Sequence, residues 1–264
     1  MKAVFTTWCT NDYTEMIGLK ELTNQLKYFH PNVPHIIINS EKENELKDKY
    51  PWALPQHMMP ISMIEYFDDY DTVIHIDGDS TVTGELEHIF DTSYDVMCVR
   101  NYTLIGQCGF TPPEKCVVPA GFNTNNFMNA GFVVINSKEF VGEWLNNCSK
   151  LNRNDDEQNE LNRIFNSGKY KGKILDDFNT GLSYGMTNVW GNETHWDSWK
   201  NLFIEDDKLK QINQLGEKIN VKILHMAGGG DSKKEVFKGK KMREWLSEWV
   251  SPEVSNYLNK ISVG

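Results

Sequence analysis

The hydrophobic positions of this chain change period several times along its length. Residues 2–8, "KAVFTTW", are apolar and β-branched, which predicts a first strand. Residues 11–29 then take up helical spacing: Met16, Leu19, Leu22, Leu26 and Phe29 fall on one face, with Asp12 as a candidate cap. "HPNVP" is a turn and "HIIINS" a second strand. "EKENELKDKY" is charged and reads as an exposed helix or loop. "PISMIEYFDDY" predicts a helix that leads into the strand "TVIHI", residues 72–76. Strand and helix patterns that alternate in this way predict an α/β fold, a Rossmann-like, mostly parallel sheet with helices on both faces. Ligands of such sheets bind beyond the carboxyl ends of the strands.

Farther along, "ELEHIFD" predicts a short helical turn and "YDVMCVRN" a strand. The stretch 102–126 is rich in Gly, Pro and Asn and reads as a long loop over the site. "FMNAGFVVINS" is a strand, "KEFVGEWLNNCSKL" a helix, and "DDEQNELNRIF" a helix with acidic residues at its N-terminus, where the helix dipole favours them. "KILDDFN" and "VKILHMAGGG" read as late strands. The segment 240–261 is an amphipathic helix interrupted by Pro252. No repeat or linker divides the chain, so the expectation is a single domain over 1–264 with a helical extension at 235–264.

Composition narrows the function classes. With 264 residues, 39% hydrophobic and 12% aromatic, the chain can bury a sizeable core. A net charge of −10 argues against a duplex nucleic-acid partner. It also means that an anionic substrate would need a metal ion or locally clustered cations. The five cysteines, Cys9, Cys98, Cys108, Cys116 and Cys148, are odd in number and lack CxxC spacing, which fits reduced thiols and a cytoplasmic setting. The N-terminal apolar run is too short for a signal peptide, and no stretch approaches the ~18 apolar residues of a membrane span. The basic lead-in from Lys233 to Arg243, with Trp245 and Trp249, leaves open a peripheral contact with an anionic membrane, against the simpler reading of a helix packed on the core. Nothing in the sequence sets the oligomeric state.

The candidate chemistry centres on "HIDGDST". A hydrophobic strand ends in Asp77 and Asp79 with only Gly78 between them. Two close carboxylates repel and raise each other's pKa, so positive charge is expected beside them. Two chemistries suit the pattern. The carboxylates can hold Mn²⁺ or Mg²⁺ against a nucleotide-sugar diphosphate. Alternatively Asp77 attacks a phosphoryl group, as in dehalogenase-type phosphatases, whose Asp-x-Asp-x-Thr pattern is matched through Thr81; Asp176 and Asp177 could supply the acidic pair. A solvated turn is the third reading. His225 ends a strand and is followed by Gly228, Gly229 and Gly230, then Lys233 and Lys234. A neutral imidazole can complete a metal shell, glycine backbone admits phosphate oxygens, and lysine offsets their charge. Asn129, Ala130 and Gly131 place an amide and two small residues where a sugar ring could rest. Glu157 could stabilise positive charge at an anomeric carbon, and Gln158 could hold sugar hydroxyls. Trp190, Trp196 and Trp199 could stack on an acceptor sugar or pack as a lid.

Taken in order, five stations resemble the GT-A nucleotide-sugar glycosyltransferases, above all the retaining enzymes of family eight, the glycogenin and lipopolysaccharide-galactosyltransferase type. They are "FTTWCTNDY", "HIDGDSTV", "FMNAGFVVIN", "DEQNELNRIF" and "ILHMAGGGDSKK". The resemblance implies a UDP-sugar donor, with Thr6, Thr7 and Tyr13 at the uracil. It implies Asp77, Asp79 and His225 on the metal, Asn129, Ala130, Gly131, Glu157 and Gln158 at the donor sugar, and Gly78, Gly228, Gly229 and Lys233 along the diphosphate. The acceptor would be a hydroxyl of a glycan, glycoprotein or glycolipid. A binding protein that keeps the nucleotide sugar but has lost its acceptor site would share these stations. Four departures stand out: Ile61 occupies a position that is commonly Lys or Arg, Glu157 replaces the usual Asp before the Gln, the Pro-Trp after the final Lys is absent, and the Gly-to-Lys spacing is altered.

Overall fold

The structure, a computed structural model, describes residues 1–9, 18–54, 57–100, 127–151, 157–175, 182–183, 186–188, 202–212, 218–227 and 241–263. The first half builds the predicted alternation. β1 (Ala3–Trp8) is followed by α1 (Leu19–Phe29), β2 (His35–Ile38), α2 (Ser40–Lys49), α3 (Met58–Ile64) and β3 (Thr72–Ile76). After the Asp-x-Asp turn come β4 (Ser80–Val82), a 3₁₀ turn at Glu87–Phe90, β5 (Val96–Arg100), β6 (Met128–Ile135), α4 (Lys138–Cys148), α5 (Glu157–Asn166) and β7 (Gly172–Ile174).

Six of these strands form one sheet in the order β2-β1-β3-β6-β5-β7. β1 pairs with β2 and with β3 in parallel, and β5 with β7 likewise; β6 runs antiparallel to both its neighbours. The sheet is therefore mostly parallel, as the sequence predicts, with β6 the one reversed strand. Its two faces follow from the period of two along each strand. Phe5, Ile74, Ile76 and Phe132 join Leu22 and Leu26 of α1 on one side. Val4, Val73 and Val133 join Phe140, Val141 and Trp144 of α4 and Leu161 of α5 on the other. The charged segment 40–49 forms a helix because Asn39 caps it, accepting from the Lys42 amide at 3.0 Å. The predicted helix at 11–29 is described only from Leu19, entered through Gly18 at φ 76°, a left-handed conformation that glycine adopts without strain; Asp12 and Met16 lie outside the described residues.

The second half contains strands the sequence pattern did not reveal. β8 (Leu182–Ser183) and β9 (Met186–Asn188) precede β10 (Leu202–Glu205), β11 (Lys208–Ile212), β12 (Lys218–Val221) and β13 (Ile223–Ala227). β10 and β11 form a hairpin in which Glu205 pairs with Lys208, so Asp206 and Asp207 are the whole turn. Both take positive φ, 54° and 55°, the conformation of the tight hairpin turn whose twist matches that of the strands, and one that aspartate tolerates. The predicted single strand "VKILHMA" is divided at Lys222. β12 stays with the sheet β10-β11-β12-β8, while β13 joins β4 and β9. α6 (Met242–Ser247) and α7 (Pro252–Lys260) then cover these strands: Leu246, Val250, Val254, Tyr257, Leu258 and Ile261 are buried with Leu202, Leu209, Val221 and Leu224. The described apolar side chains Leu246, Val250, Val254, Tyr257, Leu258 and Ile261 of this C-terminal segment are thus buried in the core. No helix among the described residues is long and apolar enough to cross a membrane. Cys9, Cys98 and Cys148 are buried, and burial pushes the Cys98 thiol up; Cys108 and Cys116 lie outside the described residues.

Candidate metal and donor site

The turn after β3 fixes the first carboxylate. The Asp77 amide donates to the Gly131 carbonyl on β6 at 2.8 Å, and the Asp77 carbonyl accepts from the Ser80 amide at 3.0 Å. Gly78 sits buried between the two aspartates. The chain then enters β4, which pairs antiparallel with β13 so that Ser80 faces His225. This register brings a histidine distant in sequence onto the Asp-x-Asp turn. His225 Nε2 stands 3.2 Å from Asp77 Oδ2 and 3.2 Å from Asp79 Oδ1. One ligand atom from each of Asp77, Asp79 and His225 lies within 4.8 Å of the others. Asp79 and His225 are nearly enclosed, with side chains 5% and 4% exposed, while Asp77 is 39% exposed and opens the cluster on one side.

Charge in this cluster is tightly coupled. Burial works against an ionised Asp77, but bonds from His225 and His75 outweigh it and hold the carboxyl well below the usual carboxylate range. Burial also works against a charged His225, yet Asp79 and Asp77 hold the imidazole up at about 9. A proton on His225 occupies the place of the positive charge that a cation would supply. The donor set suits a hard or borderline divalent ion: carboxylate oxygens with one imidazole. Space is reserved for this arrangement. A Cβ at Gly131 would lie 2.2 Å from His225 Cε1, 2.7 Å from Asp77 Oδ2 and 2.8 Å from Asn129 Oδ1. Only glycine lets β6 pass this close to the cluster.

The neighbouring residues are bound into one unit. Asn129 Oδ1 accepts from the Gly131 amide at 2.7 Å. Gln158 Oε1 accepts from the Ala130 amide at 2.9 Å and from Asn129 Nδ2 at 3.3 Å. The start of β6 and the first turn of α5 are thereby fixed to each other beside the Asp77, Asp79 and His225 cluster, and holding Oε1 orients the whole Gln158 amide. Glu157 begins α5, and its backbone carbonyl accepts from Trp144 Nε1 at 2.9 Å. Asn162, one helical turn after Gln158 and fully buried, accepts from the Met128 amide at 2.5 Å and donates to the Met128 carbonyl at 2.9 Å. It latches helix to strand; the station "DEQNELNRIF" resembles an Asp-Gln-x-x-x-Asn helix start whose Asn is this residue, and its spacing of four from Gln158 places it on the same helix face.

Thr6 and Thr7 are fully buried, and their hydroxyls donate to the Ile74 and Ile76 carbonyls at 3.4 and 2.8 Å. They tie β1 to β3 and do not present their hydroxyls to solvent. Ile61 is buried among Ile38, Leu46 and Met58, which explains why this position holds no cation: a charge there would be desolvated among aliphatic side chains. Tyr13, Gly228, Gly229, Lys233 and Lys234 lie outside the described residues, as do the 102–126 segment, Asp155, Asp156, Asp176, Asp177, Trp190, Trp196 and Trp199.

Sheet order, the reversed β6 and the Asp-x-Asp turn at the carboxyl end of β3 define a class: the fold is the GT-A fold of glycosyltransferases. No protein-family model matches the chain, and no curated protein matches it. Among solved structures, the chain is similar to the apo form of WbbM, a bifunctional glycosyltransferase, with a TM-score of 0.55 at 15% identity. That match covers 100% of this chain and 52% of WbbM, so the chain spans about half the length of that enzyme. It is also similar to an active-site mutant of LgtC, with a TM-score of 0.52 at 13% identity, over 98% of this chain and 94% of LgtC. At such identities the likeness establishes the fold.

Proposed function

We propose that this chain is a metal-dependent glycosyltransferase that moves a hexose from a UDP-sugar to an acceptor hydroxyl with retention of anomeric configuration. The observation that carries the reading is the convergence of Asp77, Asp79 and His225 at the carboxyl end of β3 in a GT-A fold. In this reading those three side chains hold Mn²⁺ or Mg²⁺, which when bound supplies Lewis-acid stabilisation to the departing diphosphate. Asn129, Ala130 and Gly131 form a floor for the donor sugar, shaped by small side chains and by the amide fixed to Gln158. Glu157 and Gln158 border the reacting carbon, where a carboxylate and an oriented amide favour developing positive charge and hold hydroxyls. Thr6 and Thr7 support the nucleotide pocket from beneath by holding β1, and Tyr13 meets the base. Gly78, Gly228, Gly229 and Lys233 complete the diphosphate site. The acceptor is a glycan, glycoprotein or glycolipid, and the whole chain works as one catalytic domain with its C-terminal helices packed against it, in a cytoplasmic setting. The phosphatase alternative loses support on two counts. Asp77 Oδ1 is held by His75 and Oδ2 lies 3.2 Å from His225 Nε2, and the sheet is that of a different fold class.

Thermal unfolding with UDP, with and without Mn²⁺, tests this. A ligand that binds only the native state stabilises it by mass action, about 2.7 kcal/mol at a hundredfold excess over Kd. The expected result is stabilisation by UDP that needs Mn²⁺ and disappears in Asp79→Ala. No response to UDP in the presence of Mn²⁺ would remove the proposal. A non-catalytic binding protein would show the shift without slow hydrolysis or transfer from any UDP-sugar.

A further inference from the structure

We propose that His75 is a positioning residue of the metal centre, its Nε2–H holding Asp77 Oδ1 so that Oδ2 is the single oxygen this carboxylate turns to the cation. The inference rests on the metal reading above and goes beyond it to a residue that is not itself a ligand.

His75 lies inside β3, in register with Thr6 on one side and Val133 on the other. Its side chain is 1% exposed. Val4, Val73 and Val133 are buried in the core on this side of the sheet, and an aliphatic residue would suit that environment. The imidazole instead brings a polar cost, because its Nδ1 is buried with no hydrogen-bond partner among the described residues. Packing alone therefore gives no reason for a histidine here. Among the described residues the ring makes one polar contact, Nε2 to Asp77 Oδ1 at 3.0 Å. An ionised carboxylate only accepts, so Nε2 carries the proton and donates.

The consequence is a division of labour between the oxygens of Asp77. Oδ1 is held by His75, and Oδ2 faces His225 at 3.2 Å within the ligand cluster. The Asp77 amide bond to Gly131 fixes the backbone beneath, so carboxylate rotation is the freedom left to remove. A carboxylate held at one oxygen binds a cation through the other. Groups that orient metal ligands in this way typically contribute 10–100-fold to metal affinity.

The test is Mn²⁺ binding to the full chain, read from loss of the free-ion paramagnetic resonance signal, for wild type, His75→Leu and His75→Gln. Glutamine can place a donor nitrogen where Nε2 stood; leucine cannot. His75→Leu is expected to weaken Mn²⁺ binding by about 10–100-fold while the metal-free melting temperature holds or rises, since an unsatisfied buried nitrogen is gone. His75→Gln is expected to recover most of the affinity. Wild-type affinity in His75→Leu overturns the proposal, and so does an equal loss in both variants. Absence of Mn²⁺ binding in the wild type, by contrast, overturns the metal reading itself. Should the leucine variant not fold, nitrogen-15 spectra of the histidines in the unmutated protein decide. The proposal requires His75 to be the Nε2–H tautomer with a signal that shifts on Mg²⁺ addition; an Nδ1–H tautomer refutes it.

Discussion

At the scale of single residues, the site is governed by how few atoms fit around Asp77, Asp79 and His225. Gly131→Ala places a methyl group 2.2 Å from His225 Cε1 and 2.7 Å from Asp77 Oδ2. Either β6 or the imidazole must move. The expected outcome is a loss of about 1–3 kcal/mol of stability in urea unfolding, the usual cost of overpacking, together with weakened Mn²⁺ binding by calorimetry. Unchanged metal affinity in this variant would show that the cluster is not the metal site.

Protonation gives a second prediction at this scale. The folded, metal-free protein holds His225 at about 9, above the ordinary 6.5. Its contribution to stability is therefore fully present below pH 6.5 and is lost as pH rises through about 9. Metal binding requires the neutral imidazole, so a bound cation must displace that proton. Mn²⁺ affinity should accordingly rise with pH, by about tenfold per unit between pH 6 and 8, with release of close to one proton per ion. Calorimetry in buffers of different ionisation enthalpy measures that proton directly. Proton uptake or no pH dependence would contradict the assignment of His225 as a ligand.

At the scale of elements, α5 and β6 act as one piece because side-chain amides cross-link their backbones. Asn162→Ala would leave the buried Met128 N–H and C=O without the partner they have now. A buried backbone group without a partner costs about 1–3 kcal/mol, so this variant should be among the more destabilised single substitutions in denaturant unfolding. The shared reliance of Gln158 on Ala130 and Asn129 predicts that the same change disturbs donor binding without removing the metal. β4 is likewise held from three sides: Gln25 Oε1 accepts from the Val82 amide at 2.9 Å, the Thr83 amide donates to the Lys222 carbonyl at 2.8 Å, and the Tyr257 hydroxyl donates to the Thr83 carbonyl at 2.7 Å.

At the scale of the whole molecule, these bonds make the C-terminal helices part of the site's support. Gln25 Nε2 also donates to Ser262 Oγ at 2.9 Å, and Asn24 Nδ2 to the Ser262 carbonyl at 2.9 Å, so the last residues are tied to α1 and through it to β4. Truncation after Val250 removes Val254, Tyr257, Leu258 and Ile261 from the core under β10–β13. Fully burying such side chains contributes on the order of 1.5–3 kcal/mol each, and several are lost together. The truncated chain is expected to lose its cooperative melting transition and its Mn²⁺ binding together. A truncated form that binds Mn²⁺ normally would show that the extension is dispensable to the site.

What could be read along the chain was what depends on neighbours in sequence. The apolar β-branched run 72–76 ending in Asp77-Gly78-Asp79, the helical spacing of Leu19, Leu22 and Leu26, and the helix pattern of "KEFVGEWLNNC" all act locally, so the class of fold and the Asp-x-Asp turn were legible. The two-residue hairpin turn at Asp206 and Asp207 was a local signal too, but it lay in a polar stretch with weak alternation, and the strands on either side passed unrecognised. Only the tertiary structure decided the rest. That His225 meets the aspartates follows from the pairing of β4 with β13. That Gly131 must lack a side chain follows from the passage of β6 against that pair. His75 looked like one more member of a buried strand until its ring was seen to hold Asp77. These relations join positions far apart in the chain, and the physical reason they escape a linear reading is that register and close packing are set by the whole core rather than by any segment's own preference.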